Sequence, residues 1–145
     1  MLELDRFLPY LVNKLGNRLS QELGEVYASR FGISIPEWRV IAHLRENRNV
    51  SVREVFARVA MDKAKVSRAA ARLELIGMIE KNVNPVDRRL VEMKLTEAGR
   101  ALFDQIAPLA LAYETTVLAS LTSEEAETFR LLLDKLLTRD QRRPA

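Results

Sequence analysis

The spacing of apolar residues is helical along most of this chain and changes to strict alternation in one short stretch. Apolar residues recur every three or four positions over residues 4–26, 102–118 and 129–136. Between Val91 and Leu95, apolar and charged residues alternate instead. The first spacing is typical of amphipathic helices and the second of a half-buried strand. The sequence therefore predicts a mainly α-helical chain (α+β) with one β-hairpin.

Polar residues that cap helices divide the helical pattern into segments. Capping boxes of the form Ser/Thr-x-x-Glu begin at Ser34, Ser51 and Thr122. Asp62 and Thr96 are suited to cap two further helices. Together with the N-terminal segment, these signals predict six helices.

Glycine and proline mark the boundaries of these segments. Pro9 fits the first turn of the N-terminal helix or a kink in it. Gly32 and Gly77 stand where left-handed glycines end helices. The polar run 45–49 predicts a loop. Residues 78–83 form a weaker candidate strand, and the turn-rich residues 84–89 join it to the alternating strand. The predicted order is four helices, a hairpin and two helices.

The apolar positions of the three short helices predict which faces point inward. The expected inward residues are Trp38, Ile41, Ala42 and Leu44 in one helix, Val52, Val55, Phe56 and Val59 in the next, and Val66, Ala70 and Leu73 in the third. These faces, with the hairpin, give residues 34–95 a small core of their own.

Two of the short helices, separated only by Ala60-Met61, have the spacing of a helix-turn-helix. In that motif the second helix enters the major groove of DNA with its N-terminal residues at the base edges. Its predicted outward residues are small or basic: Lys63, Ala64, Lys65, Ser67, Arg68 and Arg72. Lys or Arg donates to guanine O6 and N7, and Ala contacts a thymine methyl group. The alternatives are a merely solvated basic face and, for Arg72, a pairing near Glu74 or with another element.

The hairpin tip adds a second basic element. Arg88 and Arg89 are placed where an arginine reaches a narrow minor groove. Asp87 is expected to hold an arginine by a charge-assisted bond, and Asp62 to give similar support besides capping its helix. Charge is also uneven, since residues 48–94 hold 11 Lys and Arg against 6 Asp and Glu, whereas the rest of the chain has 12 against 14. This asymmetry favours a polyanionic partner.

Several other classes of protein fit the sequence poorly. The chain has no cysteine and one histidine, His43, which argues against disulfides, thiolate sites and a metal centre. No paired nucleophile and base, paired carboxylates or glycine-rich phosphate loop indicates an enzyme or a cofactor. The sequence contains no apolar run long enough to form a membrane span, and its N-terminus lacks a signal-peptide pattern. We therefore expect a cytoplasmic chain. A winged-helix module that binds proteins instead of DNA remains the second hypothesis.

The apolar stripes of the terminal helices exceed what the central unit can cover. They could pack on each other within one chain or pair with the same helices of a second chain. We favour a homodimer, because two-fold proteins match palindromic DNA sites. The predicted division is residues 1–33 for an N-terminal dimerisation helix, 34–95 for the DNA-binding lobe and 96–145 for C-terminal dimerisation helices.

Several short motifs of the chain resemble the MarR family of bacterial regulators. They are Ile35-Pro-Glu-Trp-Arg39, Met61-Asp-Lys-Ala-Lys-Val-Ser-Arg68, Arg72-Leu-Glu-Leu-Ile-Gly77, Asp87-Arg-Arg89 and Leu95-Thr-Glu-Ala-Gly99. The resemblance covers nearly the whole chain in the right order. It implies a winged helix-turn-helix dimer that reads a palindrome in double-stranded DNA. It also implies a repressor released by a small, often aromatic or acidic molecule bound between the dimerisation helices and the DNA-binding lobe.

The resemblance matches Lys63, Ala64, Lys65, Ser67 and Arg68 to the groove-reading face, and Arg88 and Arg89 to the wing. Together with the other candidates read from the residues, these positions complete the predicted sites. The expected DNA-binding set is Ser51, Lys63, Ala64, Lys65, Ser67, Arg68, Arg72, Arg88 and Arg89, with Asp62 and Asp87 in support. Five residues on the first two helices are candidates to hold an aromatic carboxylate or an acyl thioester: Tyr10, Asn13, Trp38, Arg39 and His43. The alternatives are a core position for Trp38, an ordinary helix position for His43 and an ion pair for Arg39.

Overall fold

The computed structural model describes residues 1–46, 50–59 and 61–139, with the side chains of all of them except Val52 and Phe56. These residues form six α-helices and a small antiparallel sheet. The elements are α1 (Leu8–Phe31), α2 (Ile35–Glu46), β1 (Val50–Ser51), α3 (Val52–Arg58), α4 (Lys63–Leu75), β2 (Ile79–Val83), β3 (Val91–Leu95), α5 (Glu97–Leu118) and α6 (Ser123–Thr138). The predicted fold class, mainly helical with a hairpin wing, is confirmed.

The chain divides into two compact units, Met1–Pro108 and Leu109–Ala145. In the second unit, Thr122 and Glu125 form the predicted capping box at the start of α6. In the same unit Arg130 of α6 donates a hydrogen bond to Glu114 of α5 at 3.0 Å. The division of the chain at residues 33 and 95 that we inferred from the sequence is a functional one, and it stays a prediction.

The core of the first unit lies between the short helices and the sheet. Its fully buried side chains include Val40, Ile41, Val55, Val66, Leu73, Ile79, Met93 and Ile106. The expected inward residues Ile41, Leu44, Val55, Val59, Val66, Ala70 and Leu73 are all buried, whereas Trp38 and Ala42 are half-buried. The expected inward side chains of Val52 and Phe56 lie outside the described residues. Burial of each large apolar side chain contributes about 1.5–3 kcal/mol to folding.

Two predicted boundaries of elements are corrected by the structure. A short 3-10 turn over Leu4–Arg6 precedes α1, which begins at Leu8 with Pro9 in its first turn. The predicted loop 45–49 begins later, because Arg45 and Glu46 belong to α2; residues 47–49 lie outside the described residues. The Arg45 guanidinium lies 5.6 Å from the centre of the Phe103 ring, and this cation–π contact holds the last turn of α2.

The sheet contains one strand more than the predicted hairpin. β3 lies in the middle, with β2 on one side and the two-residue strand β1 on the other. Val50 pairs with Met93 and Ser51 with Glu92, while β2 pairs with β3 from Ile79–Leu95 to Val83–Val91. Two residues are too few to show an alternating pattern, so β1 is invisible in the sequence.

The end of α4 is fixed to the start of α5 by backbone atoms. Gly77 is left-handed (φ 79°), and the Met78 N–H donates to the Leu73 carbonyl at 2.9 Å, which closes the helix. Thr96 caps α5 through the Gly99 N–H at 3.1 Å, and its hydroxyl donates to the Gly77 carbonyl at 2.6 Å. A Cβ atom on Gly99 would lie 2.0 Å from the Met78 carbonyl oxygen. The two helices therefore meet with no room for a methyl group.

This contact predicts that Gly99→Ala destabilises the fold. The added methyl group collides with backbone that cannot rotate away, so we expect a loss of about 1–3 kcal/mol in the free energy of unfolding. Gly16→Ala is the matched control, because a methyl group added there would meet no atom within 4 Å beyond its own helix backbone. There we expect a gain of about 0.5–1 kcal/mol from helix propensity. Thermal and urea unfolding measure the change in the free energy of unfolding for each variant. Equal changes in the two variants would contradict the close contact between Gly99 and the Met78 carbonyl.

Candidate nucleic-acid interface

One side of α4 buries apolar residues and the other presents the predicted basic set to solvent. Val66, Ala69, Ala70 and Leu73 are buried. The predicted outward residues are all exposed: Lys63, Ala64, Lys65, Ser67, Arg68 and Arg72. No acidic residue occurs between Lys63 and Arg72. The exposed side of α4 is therefore a cationic surface with small residues between the charges, which we call the α4 face (Lys63, Ala64, Lys65, Ser67 and Arg68).

The first turn of α4 is set by Asp62. Its carboxylate accepts a hydrogen bond from the Lys65 N–H at 2.8 Å, which confirms the predicted cap. This carboxylate also places negative charge at the positive end of the helix. The cap orients the first turn, where Lys63 and Ala64 lie.

Ser51 does not join the α4 face. Its side chain is buried, and its hydroxyl accepts a hydrogen bond from the Glu54 N–H at 3.2 Å as the cap of α3. The structure therefore gives Ser51 the capping role that the sequence also predicts.

Arg72 is on α4, but its guanidinium is bound by other elements of the fold. Its Nη1 donates to Oε1 of Glu37 at 2.8 Å, and its Nη2 donates to the Gly32 carbonyl at 2.9 Å. The alternative that Arg72 pairs with another element is therefore confirmed, with Glu37 of α2 as the partner instead of the Glu74 neighbourhood. The burial of Glu37 is not foreseen from the sequence, where this residue is only the last position of a capping box.

A notch of about 340 Å³ lies between the first turn of α2 and α4. It is lined by Ser34, Pro36, Glu37, Lys65, Arg68, Ala69 and Arg72. Lys65 and Arg68 form no ion pair with any residue in the described part of the chain. Two unneutralised cations therefore border a concave surface beside the α4 face.

The loop between β2 and β3 is held by the side chain of Asn84. Asn84 Oδ1 accepts the N–H groups of Val86 at 2.8 Å and Asp87 at 3.1 Å, and Asn84 Nδ2 donates to Glu92 at 2.7 Å. These bonds fold the loop into a compact turn. At its tip Val86 is 95% exposed. We call residues 84–89 the wing tip.

Asp87 holds Arg89, as the sequence predicts. Its carboxylate accepts the Arg89 side-chain Nε–H and backbone N–H, both at 3.1 Å. The side-chain hydrogen bond from Arg89, followed by the backbone one, lowers the pKa of Asp87 below its usual value of 3.8. Arg89 is thus oriented while its side chain stays 89% exposed, and Arg88 is exposed beside it.

The five predicted ligand residues do not come together within one chain. The Trp38 ring stacks on Phe103 with centroids 5.4 Å apart and is tilted against Tyr27 at 5.6 Å. Tyr10 lies 17 residues before Tyr27 on α1, which is about 25 Å along a helix. Asn13 is also far from Trp38, since it lies only three residues after Tyr10. The structure therefore separates Tyr10 and Asn13 from the α2 candidates of the same chain.

The aromatic cluster around Trp38 was only partly visible in the sequence. Tyr27 is fully buried and its hydroxyl has no hydrogen-bond partner among the described atoms. Phe103 and Arg45 complete the cluster from α5 and α2. The one feature of the sequence that could have indicated the burial of Tyr27 is its position directly after Val26, the last residue of the apolar spacing of α1. Arg39 is exposed and forms no ion pair with described residues, so its predicted pairing with an acid is not seen.

Two other properties bear on the chemistry of this chain. None of the helices formed by residues 1–46, 50–59 and 61–139 has the length and apolar composition of a membrane-spanning segment. In the same ranges, no three His, Cys, Asp or Glu side chains are grouped so that they could bind a metal ion.

Comparison with known proteins places these features in one family pattern. A family model described as the MarR family matches residues 31–90. The multiple antibiotic resistance protein MarR of Escherichia coli is 31% identical over 133 residues, which are 90% of this chain and 88% of that protein. The transcriptional repressor NicR of Pseudomonas putida is 31% identical over 98 residues, 68% of this chain and 62% of that protein.

A solved structure shows the same architecture with DNA bound. The chain superposes on a variant of MarR from Escherichia coli complexed with operator DNA, with a TM-score of 0.81 and 27% identity. The match covers 90% of this chain and 93% of the other.

The surroundings of His43 predict its titration. Burial, and then the positive charge of Arg58, lower the pKa of His43 below 6.5. We expect the ring to be neutral at pH 7 in the folded protein, with an NMR titration midpoint below 6.5. Arg58→Gln should raise that midpoint. Because the unfolded chain takes up the proton first, stability should decrease as the pH falls from 6.5 to the folded midpoint. A midpoint at or above 6.5 would contradict these surroundings.

Proposed function

This chain belongs to the MarR family, and from that premise we propose that it is a homodimeric transcriptional regulator that binds a palindromic operator in double-stranded DNA. A related protein of the family, MarR of Escherichia coli, has been solved with operator DNA. The observation that carries the proposal is the α4 face, which is exposed, cationic and free of acidic residues. The proposal includes no enzymatic step.

The α4 face has the size and chemistry to read a major groove. The groove is about 12 Å wide and admits one helix. Lys63, Lys65 and Arg68 supply donors for guanine O6 and N7, and Ala64 is small enough to contact a thymine methyl group. Ser67 lies between them and donates to a phosphate oxygen. Because the inward side of α4 is packed in the core, these side chains reach the bases from a rigid helix.

The wing tip supplies the second contact of each lobe. Asp87 restricts the conformers of Arg89 before DNA is bound, so less conformational entropy is lost on binding. Arg89 enters the minor groove, where the negative potential is strongest if the groove is narrow. Arg88, exposed beside it, contacts a phosphate.

The exposed apolar residues at the two ends of the chain support a dimer. On α1 they include Leu8, Leu11, Val12 and Leu15, and on α6 they include Phe129, Leu131, Leu132, Leu136 and Leu137. Apolar stripes of this length are uncommon on the surface of monomers. We infer that each is covered by a second copy of the chain, in agreement with the functional division at residues 33 and 95. The dimer then presents two α4 faces about 34–36 Å apart, one turn of the duplex.

We further propose that the regulator is a cytoplasmic repressor released by a small aromatic acid or acyl thioester. The related NicR is named a repressor. The best candidates to hold the effector are Trp38, Arg39 and His43 on α2, while Tyr10 and Asn13 take part only if they come from the second copy. An effector that favours a different spacing of the two lobes lowers DNA affinity by its differential affinity for the two states.

The α4 face predicts a base-specific loss in Arg68→Ala. We expect operator binding to weaken by about 1–3 kcal/mol and base preference to relax at one position, because Arg68 donates to a base edge. Titration of fluorescent duplexes at several salt concentrations measures both quantities. For wild type, log K should fall with log salt by about 0.9 per phosphate contacted.

Arg100→Ala is the matched control for this change of charge. Arg100 is exposed and follows Gly99, which lies beside Met78 past the C-terminal end of α4, away from the α4 face. We expect it to bind the operator as wild type does. Equal losses in the two variants would count against a base contact by Arg68. If wild type bound no duplex even at low salt, a protein-interaction module would replace the proposed regulator.

The proposed dimer predicts that Leu11→Glu dissociates it. A carboxylate buried in an apolar interface without a partner costs several kcal/mol, so the variant should sediment as a monomer at micromolar concentration and lose operator binding. Gln21→Glu is the control, because it adds the same charge at an exposed polar position of α1. Analytical ultracentrifugation measures the mass, and a dimeric Leu11→Glu protein would contradict a role for this stripe.

A further inference from the structure

Arg72 joins three elements of the first unit at one point. It extends from α4, its Nη1 donates to Glu37 in the first turn of α2, and its Nη2 donates to the carbonyl of Gly32, where α1 ends. A cation at the C-terminal end of α1 is also favoured by the helix dipole. One side chain therefore connects the proposed recognition helix to both helices that precede the helix-turn-helix.

Glu37 is the fixed half of this connection. It is only 5% exposed, and its Oε1 also accepts the backbone N–H of Ser34 at 3.2 Å and the Ser34 hydroxyl at 2.9 Å. A buried carboxylate with these bonds has one orientation. Its charge needs a cation, and removing that cation leaves an uncompensated buried charge.

Arg72 has polar partners within the chain, in contrast to the basic residues Lys65 and Arg68 of the α4 face. Both of its terminal nitrogens are occupied by Glu37 and Gly32, whereas Lys65 and Arg68, two turns and one turn earlier, form no ion pair with described residues. These bonds hold the guanidinium against α2 and the end of α1, although it carries more N–H groups than the two bonds use. Its geometry is that of a side chain that positions a helix.

We propose that Arg72 and Glu37 form a clamp that positions the α4 face relative to the end of α1, without contacting DNA. Base readout requires side chains to be held to within about 0.5 Å and 10–20°. A clamp in the C-terminal half of α4 holds the helix, and so its side chains, in position. The clamp also transmits a displacement of α1, the proposed dimerisation helix, to the recognition helix. This inference rests on the proposed function and assigns it two positioning residues.

The sign of the effect of Glu37→Gln tests the clamp. The substitution removes a negative charge beside the α4 face, which by electrostatics alone strengthens attraction to DNA. The clamp predicts the opposite for the operator, with affinity falling about 10-fold. Affinity for non-specific duplex should stay equal or rise, and the salt dependence should be unchanged. Operator binding equal to or tighter than wild type would overturn the proposal.

Arg72→Gln separates a positioning role from a phosphate contact. As a clamp residue it should lower operator affinity with no change in the salt slope, and adding Glu37→Gln should cost little more, because the connection is already broken. A phosphate contact instead lowers the slope by about 0.9 and adds independently to Glu37→Gln. The second pattern would overturn the proposal. Circular dichroism and thermal unfolding establish the temperature at which all variants are folded.

A distance measurement on the protein without DNA tests the clamp independently of DNA binding. The chain has no cysteine, so Ala71→Cys, on the exposed side of α4, accepts one spin label per chain. Pulsed electron resonance then gives the distance between the two recognition helices of the dimer. We expect Arg72→Gln to broaden or shift this distribution, and an unchanged distribution would overturn the proposal. If wild type failed to bind any duplex while the distribution still shifted, the proposed function would fail and the clamp would stand.

Discussion

The packing of α4 on α2 is the constraint on which the rest of the interface depends. Val66, Ala70 and Leu73 are buried together with Val40 and Ile41 of α2. Because a helix has 3.6 residues per turn, burying these positions forces the residues between them to the opposite side. The basic side chains of the α4 face are therefore directed outward by the hydrophobic effect. Ala69 and Ala70, two small residues of α4, are buried as well.

Local chemistry explains which parts of the molecule were predictable from sequence. The caps at Asp62 and Thr122 and the hydrogen bond that Arg89 donates to Asp87 join residues at most three positions apart. The left-handed Gly77 depends on a single backbone conformation. Apolar spacing likewise predicted the six helices and the wing. What was missed depends on distant partners: β1 exists only by pairing with β3, and Arg45 extends α2 through Phe103.

The candidate site shows the same division between near and distant partners. The α4 face follows from helical periodicity alone, and the structure exposes every residue assigned to it. Arg72 shares the sequence spacing of that face, but its partner Glu37 is 35 positions away. Tyr10 and Trp38 are both on amphipathic helices, yet the length of α1 separates them. Periodicity identifies the face of a helix and says nothing about which end of it meets another element.

The junction between α4 and α5 has a consequence for how much the chain can vary. Its hydrogen bonds involve the carbonyls of Gly77 and Met78, the N–H groups of Thr96 and Gly99, and a single side chain, the Thr96 hydroxyl. The side chains of Met78, Glu97 and Ala98 take no part in them. The junction therefore requires three features of the sequence: a residue that adopts a left-handed conformation at position 77, a hydroxyl group at position 96 and a glycine at position 99. The other positions of this joint can change without removing any of these hydrogen bonds.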